Sequence, residues 1–392
     1  MMNLHSHEMR RDPFPMYDQV RSLSPVHDPR FDLWMIFDYE GVKHAVTDHD
    51  AFRSAVTEGM PGRWFIFADP PRHTRLRGLV MRAFTPRMVA SLEPRIRELC
   101  RELLARTVPR GSMDLVADFS APLPMMVIAE MLGVPLADLP LLQRWRDAIL
   151  GLNDTMAGGS DPAQAVRSFG AATTEMSAYL ERVVEERRVS PRDDLFTRLV
   201  EAEVEGERLD PEDVLGFFQL LLLAGSETTT NLISNAILSL VEHPEQRLRL
   251  EREPALLTSA IEEVLRYRSP VQATFRVTTR EVGPPDRPIP PGKMVLAMLG
   301  SANRDPRVFP HPGHFDIGRN PNPHIAFGHG IHFCIGAPLA RLEARVALPE
   351  LLSHLKELEL AGDEPWEPRP AFHIHGPARL PIRFQPGQAP AR

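Results

Sequence analysis

The segment from Asp210 to His243 limits the fold more than any other stretch of this chain. Asp210 reads as an N-cap, Pro211 suits the first helical position, and Glu212 and Asp213 place acids in the first turn. Pro244 closes the far end, so one helix is predicted over about 211–243. A helix of about 33 residues spans ~50 Å, the width of a whole domain. Its front half, VLGFFQLLLLAG, is apolar around most of its circumference, with Gln219 as the polar interruption, so other elements must surround it. No linker or internal repeat divides the chain, and residues 1–392 are expected to form a single domain around this helix.

The remaining pattern is mainly α with a small β portion. Leu92, Ile96, Leu99, Cys100, Leu103, Leu104 and Val108 recur at helical spacing and make one apolar face, which reads Cys100 as a core side chain. Strand patterns are short: Leu33 to Phe37, Phe275 to Val282 and Lys293 to Leu299. A hydrophobic content of 43% supports a sizeable core, and a net charge of −7 argues against nucleic acid as a partner. Only Lys43, Lys293 and Lys356 are lysines among 45 basic residues, a bias that reads as genomic base composition. Two cysteines are too few for a disulfide-built fold and suit a reducing, cytoplasmic setting. The N-terminus shows no apolar core behind a basic start, and the longest apolar run, Val214 to Gly225, is too short for a bilayer, so neither a leader nor a membrane anchor is expected. The 39 prolines cluster late, where long ordered loops are predicted.

The residues with the most chemistry lie at Phe327 to Gly336, read as Phe-Gly-His-Gly-Ile-His-Phe-Cys-Ile-Gly. Gly328 and Gly330 allow positive φ and a close approach to a flat ligand, and Gly336 is expected to do the same. Pro338 suits the first turn of a helix, so Cys334 precedes a helix N-terminus, where N–H groups and dipole favour a thiolate. A glycine-rich loop with a buried cysteine is one reading. A zinc site from His324, His329, His332 and Cys334 is another, although H-x4-H-x2-H-x-C matches no common structural zinc spacing. The segment closely resembles the cysteine-ligand loop of the cytochrome P-450 superfamily, Phe-Gly-x-Gly-x-His-x-Cys-x-Gly. That resemblance implies haem b (iron protoporphyrin IX) held by the axial thiolate of Cys334, with His332 on a propionate and Phe327, Gly328 and Gly336 around the cofactor.

Further matches follow the family's order. Ala224-Gly225-Ser226-Glu227-Thr228-Thr229 sits inside the long helix, where glycine and β-branched residues are poor helix formers, so a local opening is predicted. A buried Glu227 must pair, face a wet pocket or serve a proton path. The segment resembles the acid–alcohol pair that the family places over the iron, which implies proton-delivery roles for Thr228 and Glu227 and cofactor contact for Ala224 and Gly225. Glu263-Val-Leu-Arg266 is an i,i+3 pair. The same spacing recurs from Glu8, Glu98, Glu185 and Glu205, and only position in the chain makes this copy resemble the family's structural clamp, with the loop containing Phe315 and Arg319. His73 and Arg77, four residues apart on one helix face, resemble the propionate-binding helix, and Arg276 resembles a further propionate partner.

The resemblance covers Phe14 to Phe384 and implies a P-450 fold and a monooxygenase that inserts one atom of dioxygen into a small apolar molecule of terpenoid, steroid, polyketide or fatty-acyl class. A peroxide-driven relative and a non-catalytic haem sensor are the alternatives. Because the chain contains no flavin or iron–sulfur module, electrons are expected from a separate ferredoxin and ferredoxin reductase, with Arg75 and Arg82 as docking candidates on a monomeric protein. Expected substrate contacts are Trp64, Phe65, Phe67, Leu220, Leu223, Gln272, Thr274, Phe372 and Ile374. Only 18 residues, Ala55 to Arg72, separate Ser54 from His73, where relatives commonly carry a longer covering loop, so an open pocket is expected on that side.

Overall fold

The computed structural model describes residues 6–54, 64–156, 161–204, 206–362 and 366–387. The helices that frame the site are α1 (Tyr39–Thr47), α2 (Arg72–Ala83), α3 (Glu93–Thr107), α4 (Pro122–Leu132), α5 (Leu139–Met156), α6 (Pro162–Val189), α7 (Pro211–Glu242), α8 (Leu257–Tyr267) and α9 (Ala337–His354). Asp210 caps α7 by accepting from the Asp213 N–H at 2.7 Å, and His243 ends it one residue earlier than predicted because Pro244 opens the next helix. Ile233, Ala236, Ile237 and Leu238 are fully buried where α7 runs against α4 and α9. The uniform apolarity of its sequence is thereby explained.

The predicted opening at Ala224 to Thr229 does not occur: α7 is continuous. The hydroxyls of Ser226, Thr228 and Thr230 donate to the carbonyls of Leu222, Ala224 and Ser226 at 2.5, 2.6 and 2.8 Å. Each reinforces a carbonyl four residues back instead of competing with the helix. Gly225 answers to packing, since a Cβ there would stand 3.0 Å from Ile128 Cδ1 on α4. Gly225 is therefore a helix-contact glycine.

The small β portion is a five-stranded sheet in the order β1 (Val26–Asp28), β2 (Leu33–Ile36), β6 (Met294–Ala297), β5 (Thr274–Thr278) and β3 (Phe52–Arg53). β2 and β6 pair in parallel and the other neighbours antiparallel. A three-stranded sheet joins β4 (Ser112–Asp114), β8 (Pro381–Pro386) and β7 (Leu355–Leu360). β5 stops at Thr278, short of the predicted Val282, which makes only an isolated bridge to Ile289. Gly283, at φ 97°, and the prolines that follow turn the chain and remove ladder donors.

One core cluster joins α3, α4, α7 and α9, with Leu99, Cys100, Leu123, Ile237 and Leu348 at its centre. A second lies between α1 and the five-stranded sheet. The clamp expected at Glu263 and Arg266 ties α8 to the loop before the cysteine. Both side chains are fully buried at 2.7 Å, and Arg319 Nε reaches both Glu263 oxygens at 3.1 Å. Arg266 also donates to the carbonyls of Asn303, Pro312 and His314, which leaves little of its fork unsatisfied. Phe315 is buried beside His243 and Tyr267.

Candidate active site

The loop before α9 is shaped by backbone. Gly328 and Gly330 take φ of 71° and 69°, as predicted, and a Cβ on Gly330 would stand 3.1 Å from Thr47 Cα and 3.2 Å from the Val46 carbonyl of α1. Only glycine fits there. Gly336 departs from expectation: its φ is −80°, an ordinary helical value, and a Cβ would lie 3.8 Å from Cys334 Sγ. Phe327 is half-buried under the Arg341 guanidinium at 4.5 Å, and its carbonyl accepts from the Cys334 N–H at 2.9 Å.

The N–H groups of Gly336 and Ala337 point at Cys334 Sγ, as the helix start predicts, yet the thiol's pKa is raised. Burial outweighs the two N–H groups and the cations Arg77 and Arg341. Taking a charge out of water is costlier than one helix end can offset. In the chain alone burial favours the thiol of Cys334, and a bound metal cation would favour the thiolate.

Four cationic or protonatable groups, two of them on α2, gather beside the Cys334 loop. Arg77 on α2 donates to the Phe333 carbonyl at 2.7 Å, and its pKa is lowered by burial and partly restored by Cys334. His73, one turn earlier on α2, is buried, and among the described residues neither ring nitrogen has a hydrogen-bond partner. The His332 ring lies 4.1 Å from it, with Nε2 2.9 Å from Ser54 Oγ. Burial first, then His73, Arg276 and Arg77, push His332 down to about 3. Arg276 on β5 is buried with its Nη1 against Thr274 Oγ1 and the Phe275 carbonyl, and burial lowers it to about 10. Asp69 acts on His73 and Arg276, and one carboxylate leaves the guanidiniums of Arg77 and Arg276 short of negative charge. A flat dianionic group with a metal centre fits this set: the imidazole and guanidinium donors match two carboxylates, and Cys334 supplies a soft ligand.

The zinc reading does not fit this geometry. His324 lies 2.9 Å from Glu262, His329 lies 3.1 Å from Thr47, and His332 turns to Ser54. Burial would raise the Glu262 carboxyl, but bonds from Arg341 and His324 hold it at about 2. Arg341 grips both Glu262 oxygens at 2.7 Å. The sequence analysis missed this tie between α8 and α9, although Arg341 lies in the Ala-Pro-Leu-Ala-Arg run after the cysteine.

On α7, Ala224 is exposed in the middle of a mostly buried helix, and Glu227 and Thr228 are half-buried. Trp64 and Phe65 are buried and Phe67 is half-buried; the Trp64 and Phe67 rings stack at 6.0 Å. Phe65 sits 6.2 Å from His73 and 6.4 Å from Phe217 of α7. Leu220 is buried and Leu223 half-buried on α7, while half-buried Phe372 packs in the cluster of Phe275. Gln272 is fully buried, accepts from the Tyr17 hydroxyl at 3.1 Å and donates to the Ser269 carbonyl at 2.7 Å, so its amide is used by the core. Ile374 bridges Val271, and Thr274 is engaged by Arg276. Of the segment expected to leave the pocket open, Ala55 to Arg63 lie outside the described residues. Arg75 is tied to Glu207 at 3.0 Å and Asp213 at 3.6 Å, whereas Arg82 is exposed.

Among the described residues no helix is long and apolar enough to cross a membrane. The family model for Cytochrome P450 matches residues 14–376. The chain is 43% identical to the putative cytochrome P450 YjiB of Bacillus subtilis (strain 168), covering 91% of this chain and 90% of that one. It is 37% identical to the vitamin D(3) 25-hydroxylase of Pseudonocardia autotrophica over 99% of this chain and 97% of the other. Its fold matches CYP109E1 from Bacillus megaterium in complex with testosterone, with a TM-score of 0.86, 39% identity, and coverage of 95% of this chain and 99% of that one. With nearly the whole chain matched in sequence and in fold, it belongs to the cytochrome P450 family, monooxygenases that use haem b with a cysteine thiolate as axial ligand.

Proposed function

We propose that Cys334 is the axial ligand, that His73, Arg77, Arg276 and His332 receive the haem propionates, and that the enzyme oxidises a bulky apolar molecule. The observation that carries this reading is the clustering of those four groups beside the Cys334 loop, with a buried His73 whose ring nitrogens have no hydrogen-bond partner among the described residues. Cys100, the other cysteine, is fully buried in the core, where burial drives its pKa far up. Haem, when bound, supplies dioxygen activation, and thiolate ligation favours O–O cleavage.

The chain's own contribution is to bind, to exclude water and to deliver protons. Trp64, Phe65, Phe67, Leu220 and Leu223 make an apolar wall that suits terpenoid, steroid, polyketide or fatty-acyl skeletons. The steroid side is favoured by the vitamin D3 and testosterone named for two relatives. Thr228 is the proton donor into the pocket. Its hydroxyl can leave the Ala224 carbonyl without orphaning it, because the helix N–H four residues on still bonds that oxygen. Glu227, the neighbouring acid, resupplies that hydroxyl. A ferredoxin with its reductase is the electron source, docking beside the Cys334 loop, where Phe333 and Met81 are 40% and 52% exposed.

The test is the spectrum of the reduced, carbon monoxide-bound protein. Cys334→Ser is expected to fold but to lose the red-shifted Soret band, while Cys100→Ser keeps it. An unchanged band in Cys334→Ser removes the assignment.

A further inference from the structure

Gln219 is the polar interruption in the apolar front half of α7, and it is fully buried. An amide in that setting must find partners or destabilise the core. It finds two, on different elements. Its Oε1 accepts from Trp64 Nε1 at 3.0 Å, and its Nε2 donates to Thr173 Oγ1 on α6 at 3.1 Å.

Each partner leads to a larger unit. Trp64 stacks on Phe67, Phe65 packs toward His73 and Phe217, and α2 begins at Arg72. On the other side α6 is held to α5, because Trp145 of α5 donates to Glu175 of α6 at 2.8 Å and meets Tyr179 edge-on at 5.4 Å. Trp145 also meets Phe218, the neighbour of Gln219, at 5.9 Å. One buried amide on the central helix thus bridges the 64–67 segment and the α5–α6 layer. A shift of α6 that breaks one bond leaves a buried donor unsatisfied and loosens the residue that fixes Trp64.

We propose that Gln219 is a positioning residue that couples Trp64 to the α5–α6 layer and so sets how bulky a substrate the pocket accepts. The proposal rests on the reading of Trp64 and Phe67 as pocket wall, and the experiment separates the two. Haem-loaded Thr173→Val, Trp64→Phe and Gln219→Leu proteins are compared by hydrogen exchange without ligand, then titrated with testosterone as the bulky probe and lauric acid as the slender one. Thr173→Val is near-isosteric, and Trp64→Phe keeps an aromatic ring while removing the indole N–H, so both keep the test alive where Gln219→Leu fails to fold.

Coupling predicts that Thr173→Val speeds exchange about tenfold in residues 64–67 as well as in α6, and that Trp64→Phe speeds it in α6. It further predicts that the ratio of the two dissociation constants shifts about fivefold or more in all three variants. Exchange confined to the mutated side overturns the coupling. Faster exchange on both sides with an unchanged ratio overturns the role in substrate choice, while the haem–thiolate reading stands or falls separately on the carbonyl spectrum of Cys334→Ser.

Discussion

Thr228 donates its hydroxyl to the Ala224 carbonyl at 2.6 Å, so its proton is parked on the helix until something better draws it away. Removing the hydroxyl deletes the donor but leaves the helix and its backbone bonds intact. Thr228→Ala is therefore expected to consume reducing equivalents within about twofold of the parent rate and to divert most of them to hydrogen peroxide. Product and peroxide measured side by side check this; parent-like proportions would show that water or a substrate hydroxyl carries the proton. A second residue acts on stability. Glu343 on α9 is fully buried, its Oε2 has no hydrogen-bond partner among the described residues, and burial raises its pKa well above the ordinary value. Below the unfolded carboxyl's range both states hold the proton. As pH rises beyond it the unfolded chain releases its proton while the folded chain retains it, so stability falls. Glu343→Gln should match the parent's melting temperature near pH 4 and exceed it increasingly toward pH 8, as calorimetry across that range would reveal.

At the scale of elements, identical spacing has opposite weight in different places. Glu185 and Arg188 on α6 have the E-x-x-R pattern at 3.7 Å, with side chains 70% and 64% exposed. Glu263 and Arg266 have it fully buried and embedded in a network that ties α8 to the loop of Phe315 and Arg319. Solvent and salt screen the first pair, while removing one member of the second strands a charge in the core. Arg266→Ala is expected to cost about 3–5 kcal/mol and Glu185→Ala less than about 1 kcal/mol. Denaturant titration of both variants measures the difference, and equal effects would remove the clamp from the account of stability. The continuity of α7 belongs to the same scale. Residues poor in intrinsic helix propensity stay helical there because neighbours bury Ser226, Thr229 and Thr230 and the hydroxyls of Ser226 and Thr230 have i−4 carbonyls to meet.

The largest core cluster is organised about one helix, a second core lies between α1 and the five-stranded sheet, and the cysteine loop closes on α1 and α2. That closure leaves Phe333 and Met81 exposed with Arg82, while Arg75 is occupied by Glu207 and Asp213. An acidic electron donor should accordingly feel Arg82 more than Arg75. Arg82→Glu is expected to slow reduction by a ferredoxin several-fold at low salt and little at high salt, with peroxide-driven turnover unchanged. Stopped-flow reduction across a salt series reads this out, and insensitivity to salt would move the docking face elsewhere. What the sequence by itself determined is local: the caps and apolar span of α7, the positive-φ glycines at 328 and 330, and the i,i+4 placement of His73 and Arg77 on one face of α2. These follow from backbone sterics and helical period, which need no distant partner. The tertiary structure alone decided which E-x-x-R is buried, that Gln272 belongs to the core, that desolvation of Cys334 outweighs its helix end, and that Gln219 joins Trp64 to Thr173. Burial and hydrogen-bond partnership depend on what lies across the interface, and periodicity specifies a face without naming what will meet it.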